Sequence, residues 1–365
     1  MHVSELDTPA LVIDLNIMER NLRRVAEYCS SHGLRLRPHT KTHKVPAVGR
    51  RQLDSGAAGL TVAKVGEAEV MLNANPPELL VAYPVIGRSK LARLVQVAKK
   101  TKVTVALDSL AAARQLSEAA REAQVEVGVL AEVEAGLGRV GVSPGPELID
   151  LVKGILRLPN LNFEGIDFYP GHIREAGEAG TEQVRQVSQL VSCILDDFRR
   201  EHIKINIVSG GSTPSLYRSH EIQGLNEIRP GTYVYNDVNT VATGACTFED
   251  CAASILVTVV STAHKGQIIV DGGSKTFSSD TASVQGPQPS FGRLVEAPEC
   301  VFHRMNEEHG YVDITKSNRE FAIGDRLHII PNHVCVAVNL HEQVYGKRGY
   351  QVEEIWKVEG RGKLQ

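Results

Sequence analysis

The chain has 365 residues, 42% hydrophobic and 23% charged, with a formal net charge of −3. That length supports a sizeable core and more than one domain, and the near-neutral charge excludes the basic footprint of a nucleic-acid or anionic-membrane binder. No apolar run approaches the ~20 residues of a membrane span, and the first residues show no basic-then-apolar export signal. The six cysteines (Cys29, Cys193, Cys246, Cys251, Cys300 and Cys335) are scattered without a CxxC. A reduced, cytoplasmic protein is therefore expected.

From residue 8 to about 240, short apolar runs alternate with amphipathic ones. Strands are predicted at 34–38, 57–63, 78–83, 102–107, 125–133, 163–169, 204–209 and 227–234, with near-continuous Val/Ile/Leu character that suits strands buried on both faces. Segments such as 88–100 and 180–201 carry helical periodicity. Eight strands separated by helices predict an α/β fold, a (β/α)8 TIM barrel, with an open doubly wound sheet as the competitor. Beyond 240 the texture changes. Ala253–Ser261, Gln267–Val270, Arg326–Ile330 and Val334–Val338 are rich in β-formers and read as a C-terminal antiparallel β domain with a Gly/Pro/Ser-rich loop at 279–292. The expected domains are 8–240 and 241–365, with residues 1–7 open to joining the second.

In a barrel, reactive groups lie at the strand C-termini. The string Arg37-Pro38-His39-Thr40-Lys41-Thr42-His43-Lys44 follows the first strand, and Lys41 is read as an imine-forming lysine. Its amine must lose a proton to attack an aldehyde, which nearby positive charge from Arg37, Lys44, His39 and His43 would favour. A solvated basic loop is the competing reading. Ser209 to Ser215 (SGGSTPS) follows the seventh strand, where glycines and a helix N-terminus suit a phosphate, or simply a capped turn. Gly231 and Thr232 offer amides to the same anion, and Arg229 either faces a cofactor ring nitrogen or makes a structural ion pair. Arg139, after the fifth strand, suits a substrate carboxylate. Tyr169 is placed to cover a cofactor ring, and His172 to act as general acid or base. Far downstream, His333 and Cys335 would share one face of an extended strand. Imidazole with thiolate favours zinc over magnesium or manganese; a buried cysteine beside a satisfied histidine is the bland alternative.

The strings RPHTKTHK, VEAGLGRVGV, VSGGSTPS, EIRPGTYVYND, DGGSKTFSSD and PNHVCVAVNLHE, in this order, resemble the D-threonine aldolase and D-serine dehydratase family. The resemblance spans nearly the whole chain. It implies the alanine racemase-like pyridoxal-phosphate fold (fold type III), a barrel followed by a β domain. It further implies that Lys41 binds pyridoxal 5'-phosphate, with His39 and Tyr169 in the cofactor site. Gly211, Ser212, Thr213, Gly231 and Thr232 would hold its phosphate, and Arg229 would face its pyridine nitrogen. Arg139 would lie near the substrate carboxylate, and His333 and Cys335 would bind a divalent metal, zinc ahead of manganese or magnesium. The expected activity is lysis of a small D-3-hydroxy amino acid. Aldolase members commonly carry aspartate where this chain has Cys335, which leans towards zinc and D-serine dehydration. A D-threonine aldolase and then an amino-acid racemase are the alternatives. Glu134 stands where relatives often have aspartate. A homodimer is implied by the fold alone.

Overall fold

The computed structural model describes residues 1–174, 177–281 and 290–365; of the loop expected at 279–292, residues 282–289 lie outside them. The chain divides into two compact units. One comprises Arg24–Lys41, Pro46–Gly231 and Gly362–Gln365, and the other Met1–Arg23, Thr42–Val45 and Thr232–Arg361.

After β1 (Ala10–Asp14) come β2 (Arg35–Leu36), β3 (Leu60–Val62), β4 (Glu78–Val81), β5 (Lys102–Leu107), β6 (Val127–Val133), β7 (Leu161–Phe168), β8 (Ile207–Gly210) and β9 (Glu227–Ile228). β2 to β9 form one eight-stranded sheet in the order β2-β9-β8-β7-β6-β5-β4-β3, with parallel neighbours throughout. Its two ends meet. His39 bridges Thr61, and the amides of Ala58 and Thr61 donate to the carbonyls of Leu36 and Pro38 at 2.8 Å each. The result is the expected (β/α)8 barrel. β6 (VGVLAEV) is buried at every position, as a strand covered on both faces must be. The helix Arg88–Ala98 turns its stripe of Leu91, Leu94, Val95 and Val97 inward. Gly165 in β7 has φ +148°, and a Cβ there would sit 1.9 Å from the Ile207 carbonyl oxygen, so only glycine allows β7 and β8 to pair.

The barrel interior is not purely apolar. Arg37 is completely buried and pairs with Glu227 at 2.9 Å and Glu78 at 3.1 Å. Ser209 Oγ donates to Glu227 at 2.7 Å and accepts from Arg229 at 2.5 Å. Arg229 also pairs with Asp167 at 3.2 Å and donates to the Phe168 carbonyl at 3.1 Å. Arg37 is thus a structural cation held by two carboxylates.

The other unit carries the second sheet, built from β1 with β10 (Ala253–Ser261), β11 (Gln267–Val270), β12 (Gly292–Leu294), β13 (Val301–Met305), β14 (Gly310–Asp313), β15 (Arg326–Pro331), β16 (Gln343–Arg348) and β17 (Gln351–Lys357). Its pairings are antiparallel except between β1 and β16. β1 lies inside the range 8–240 read as barrel, yet it pairs with β10 and β16. Its apolar run fits either sheet, and its partners are more than 200 residues downstream. A second difference concerns Val334–Val338, read as strand but folded as the helix Val334–Leu340. Asp237 Oδ2 accepts from the Val334 amide at 3.0 Å, satisfying a helix N-terminal donor, and that tertiary contact overrides the β propensity of the valines.

Arg37→Ala removes the buried cation between Glu227 and Glu78 and leaves Glu227 with the Ser209 hydroxyl and the more distant Arg35 at 3.6 Å. We expect a loss of about 3–5 kcal/mol in urea denaturation; a wild-type midpoint would contradict a structural role for this network.

Candidate active site

The 3-10 turn Thr40–Thr42 presents Lys41 just past the end of β2. Thr40 Oγ1 anchors the turn on the Thr61 carbonyl at 3.1 Å, and His39 Nδ1 accepts from the Lys41 amide at 3.3 Å. His39 therefore shapes the loop. Lys41 Nζ lies 5.8 Å from the centroid of the Tyr169 ring, and the Arg139 guanidinium carbon lies 4.8 Å from the same centroid. Lys41, Tyr169 and Arg139, each predicted from a different strand end, are thus brought together in the barrel unit. The Arg139 side chain is 53% exposed, and its guanidinium lies 3.9 Å from the Glu132 carboxylate.

Glu134 does not face the site. Its carboxylate accepts from the amides of Gly136, Gly138 and Arg139 at 2.5, 3.0 and 3.3 Å, folding the loop that presents Arg139. Burial opposes its ionisation, but these backbone donors hold its pKa below the ordinary value. Gly136 has φ +110°, and a Cβ there would lie 2.9 Å from Cε1 of His172. The loop and His172 are therefore packed in contact, which the sequence did not reveal.

The loop expected to hold a phosphate follows β8. Gly211 has φ +81°, Ser212 Oγ lies 3.1 Å from Ser215 Oγ, and Thr213 Oγ1 is buried without a hydrogen-bond partner among the described residues. The helix expected to follow is a six-residue 3-10 helix, Leu216–Glu221, so no full helix dipole backs the loop. Gly231 ends the barrel unit, and Thr232 begins a segment of the other.

Two carboxyls that sequence reasoning passed over lie within the barrel. Burial, followed by the charge of Asp167, pushes the Glu132 carboxyl up to about 8. Burial pushes Asp167 up to about 6 against the pull of Arg229. A charged residue in the otherwise apolar run Val127–Val133 was the available signal.

In the other unit, His333 is the N-cap of the helix Val334–Leu340 and Cys335 its second residue, so the shared strand face expected for them is absent. Their side chains nevertheless meet. The hydrogen bond to Cys335, helped by Asp280, holds His333 up to about 9 against the opposing effect of burial. Burial alone would raise the Cys335 thiol, but the hydrogen bond and charge of His333, with the Thr42 hydroxyl, bring it below its ordinary value. Thr42 Oγ1 lies 3.2 Å and Thr232 Oγ1 3.8 Å from Cys335 Sγ. Asp280 Oδ2 lies 2.8 Å from His333 Nδ1. Buried Asp237 accepts from the amides of Val334 and Thr240 at 3.0 and 2.8 Å. Asp237 and Asp280 were also missed. Among the described residues, no group of three or more His, Cys, Asp or Glu converges on one point.

The alanine racemase N-terminal domain family model matches residues 13–238, and a serine dehydratase domain model matches 252–346. The chain is 32% identical to D-threonine aldolase of Arthrobacter sp., covering 99% of this chain and 94% of that one. This chain belongs to the D-threonine aldolase and D-serine dehydratase family. Among solved structures it is similar to D-threonine aldolase from Filomicrobium marinum (31% identity, TM-score 0.92, 99% and 97% of the two chains). It is also similar to D-threo-3-hydroxyaspartate dehydratase from Delftia sp. HT23 (29% identity, TM-score 0.88, 98% of each). Structures of a dehydratase of the latter name include alanine mutants of a histidine and of a cysteine two positions later, the cysteine mutant in a metal-free form. As a family member the chain is a pyridoxal-phosphate-dependent lyase.

The residues fit that cofactor. Thr213 Oγ1 lacks a partner that a phosphate oxygen would supply, the positive φ of Gly211 opens the loop, and Lys41 is flanked by an aromatic ring. Imidazole and thiol are donor types that zinc prefers, and two of them alone leave a metal's other positions unfilled by the described residues.

Two outcomes follow. Gly136→Ala displaces His172 or the Arg139 loop, and kcat/KM with the natural substrate should fall about 100-fold, as for other ångström-scale displacements; an unchanged value would separate this loop from catalysis. A carboxyl whose folded pKa is raised binds its proton more tightly than in the unfolded chain, so stability falls as pH rises through that window. For Glu132 the window runs from 4.5 to about 8. Glu132→Gln should flatten the fall in urea midpoint across it, and an unaltered slope would refute the assignment.

Proposed function

We propose that this lyase is a metal-dependent dehydratase of D-3-hydroxy amino acids, converting D-serine to pyruvate and ammonia. The observation that carries the reading is the placing of the His333 imidazole and the Cys335 thiol together at the entry of the helix Val334–Leu340, a donor pair whose chemistry favours zinc. The metal-free cysteine mutant of the related dehydratase supports it.

In this reading Gly211, Ser212, Thr213, Gly231 and Thr232 hold the cofactor phosphate, Tyr169 packs on the ring, and Arg229 serves the ring nitrogen. Arg139 holds the substrate α-carboxylate. Lys41, released as a free amine, removes the α-proton and retains it on Nζ. His333 and Cys335 hold the metal and leave positions open for the β-hydroxyl. Bound pyridoxal phosphate supplies an electron sink for charge at Cα, and bound zinc supplies Lewis acidity at the β-oxygen.

Retro-aldol cleavage of D-threonine is the second reading, favoured by the names of the relatives from Arthrobacter sp. and Filomicrobium marinum. There His172, beside Gly136, would take the hydroxyl proton. A racemase would need no metal, and the His333–Cys335 pair argues against it. The reading includes a homodimer and a cytoplasmic location.

The test is turnover of D-serine and D-threonine with and without chelator. Chelator-sensitive pyruvate from D-serine is expected; glycine and acetaldehyde from D-threonine, with no pyruvate from D-serine, would select the aldolase. Lys41→Ala should lose the visible absorption of bound cofactor and all turnover. A retained wild-type spectrum would refute the lysine assignment.

A further inference from the structure

The segment DGGSKTFSSD, which ends at Asp280, has no part in the chemistry above. It is nevertheless fastened to the segment that carries the candidate ligands. Asn332 Nδ2 donates to the Asp280 carbonyl at 3.0 Å, and the Asp280 amide donates to Ser278 Oγ at 3.2 Å. Ser278 has φ +70°, which turns the chain before Asp280. The Asp280 backbone is thereby pinned beside the residue that precedes His333, and its Oδ2 reaches His333 Nδ1 at 2.8 Å.

We propose that Asp280 is a positioning residue of the metal centre: its carboxylate accepts from the Nδ1–H of His333 and leaves Nε2 as the ligating nitrogen. The inference rests on the reading of His333 and Cys335 as metal ligands. A neutral imidazole carries one N–H, so the partner of one nitrogen decides which of the two has the lone pair for a metal. Such outer carboxylates also fix the ring plane and raise ligand basicity. The effect matters most where the protein supplies few ligands, because each must then be held in place by its surroundings. Asp237 fixes the backbone between the two residues by accepting from the Val334 amide at 3.0 Å. The Asp280 and His333 side chains are 45% and 41% exposed, so a substitution at 280 leaves no charge stranded in a core and the fold intact.

The experiment measures zinc affinity of the holoenzyme by competition with a chromophoric chelator, for wild type, Asp280→Ala, Asp280→Asn and Cys335→Ala. The same proteins are loaded with cobalt(II) and their absorption spectra recorded. Asp280→Ala should weaken zinc binding about 10–100-fold. Asp280→Asn, whose amide oxygen still accepts from Nδ1–H, should lose less. In both, the thiolate-to-cobalt and d–d bands should keep their wild-type positions. Wild-type affinity in Asp280→Ala overturns the proposal. So does a shift of the d–d bands, which would make Asp280 a ligand in its own right. If wild type binds zinc no more tightly than Cys335→Ala, the metal reading itself fails, and the Asp280 proposal with it.

Discussion

The barrel depends on pairing charges that its closure removes from water. Arg37 is wholly buried between Glu227 and Glu78, and Ser209 joins Glu227 to Arg229, which in turn meets Asp167. Isolated, any of these ions would carry a desolvation cost that no local contact offsets; together they form a connected chain. The chain also has direction. Its members sit on β4, β7, β8 and β9 or just past β2 and β9, and the loops that follow β2, β8 and β9 hold Lys41, Gly211 to Thr213 and Gly231. The same contacts that stabilise the sheet therefore set the positions from which the cofactor-binding residues project.

The division between the two units falls within motifs, not between them. Residues up to Lys41 belong with the barrel, while Thr42–Val45 belong with the β unit; Gly231 and Thr232 are divided in the same way. Within the β unit, Thr42 and Thr232 both direct their hydroxyls at Cys335. Two short strings thus each combine an expected cofactor residue with a residue that touches the proposed metal ligand. This explains why the strings carry so much information for their length: each is constrained by two sets of contacts.

The eight barrel strands were legible because burial on both faces produces apolar runs that no amphipathic helix mimics, and the observed strands fall at all eight places: β5 matches its predicted span, β7 and β8 are shifted in register, and the other five are shorter than predicted. β10 and β11 match their predicted spans residue for residue. The Lys41, Tyr169 and Arg139 grouping followed from the rule that barrel sites form at strand C-termini. What stayed hidden depended on distant partners. The place of β1 requires knowing β10 and β16, and the helix after His333 requires knowing that Asp237 accepts from Val334. Arg37 looked like part of a basic loop because its two carboxylate partners lie 41 and 190 positions away in the numbering. The helical geometry of Val334–Leu340 removes the strand face expected for His333 and Cys335, which instead meet at the helix entry.

Chemically, the arrangement separates two tasks. In the proposed reading Lys41 takes the proton at Cα, and the His333–Cys335 pair holds the metal that acts at the β-oxygen. That separation can be tested by supplying D-serine in D2O to the Cys335→Ala enzyme. The account predicts that deuterium still enters Cα at close to the wild-type rate while pyruvate production falls by about 100-fold or more, the loss of several kcal/mol of Lewis-acid stabilisation. Exchange and pyruvate lost in step, or pyruvate formed at the wild-type rate, would contradict it.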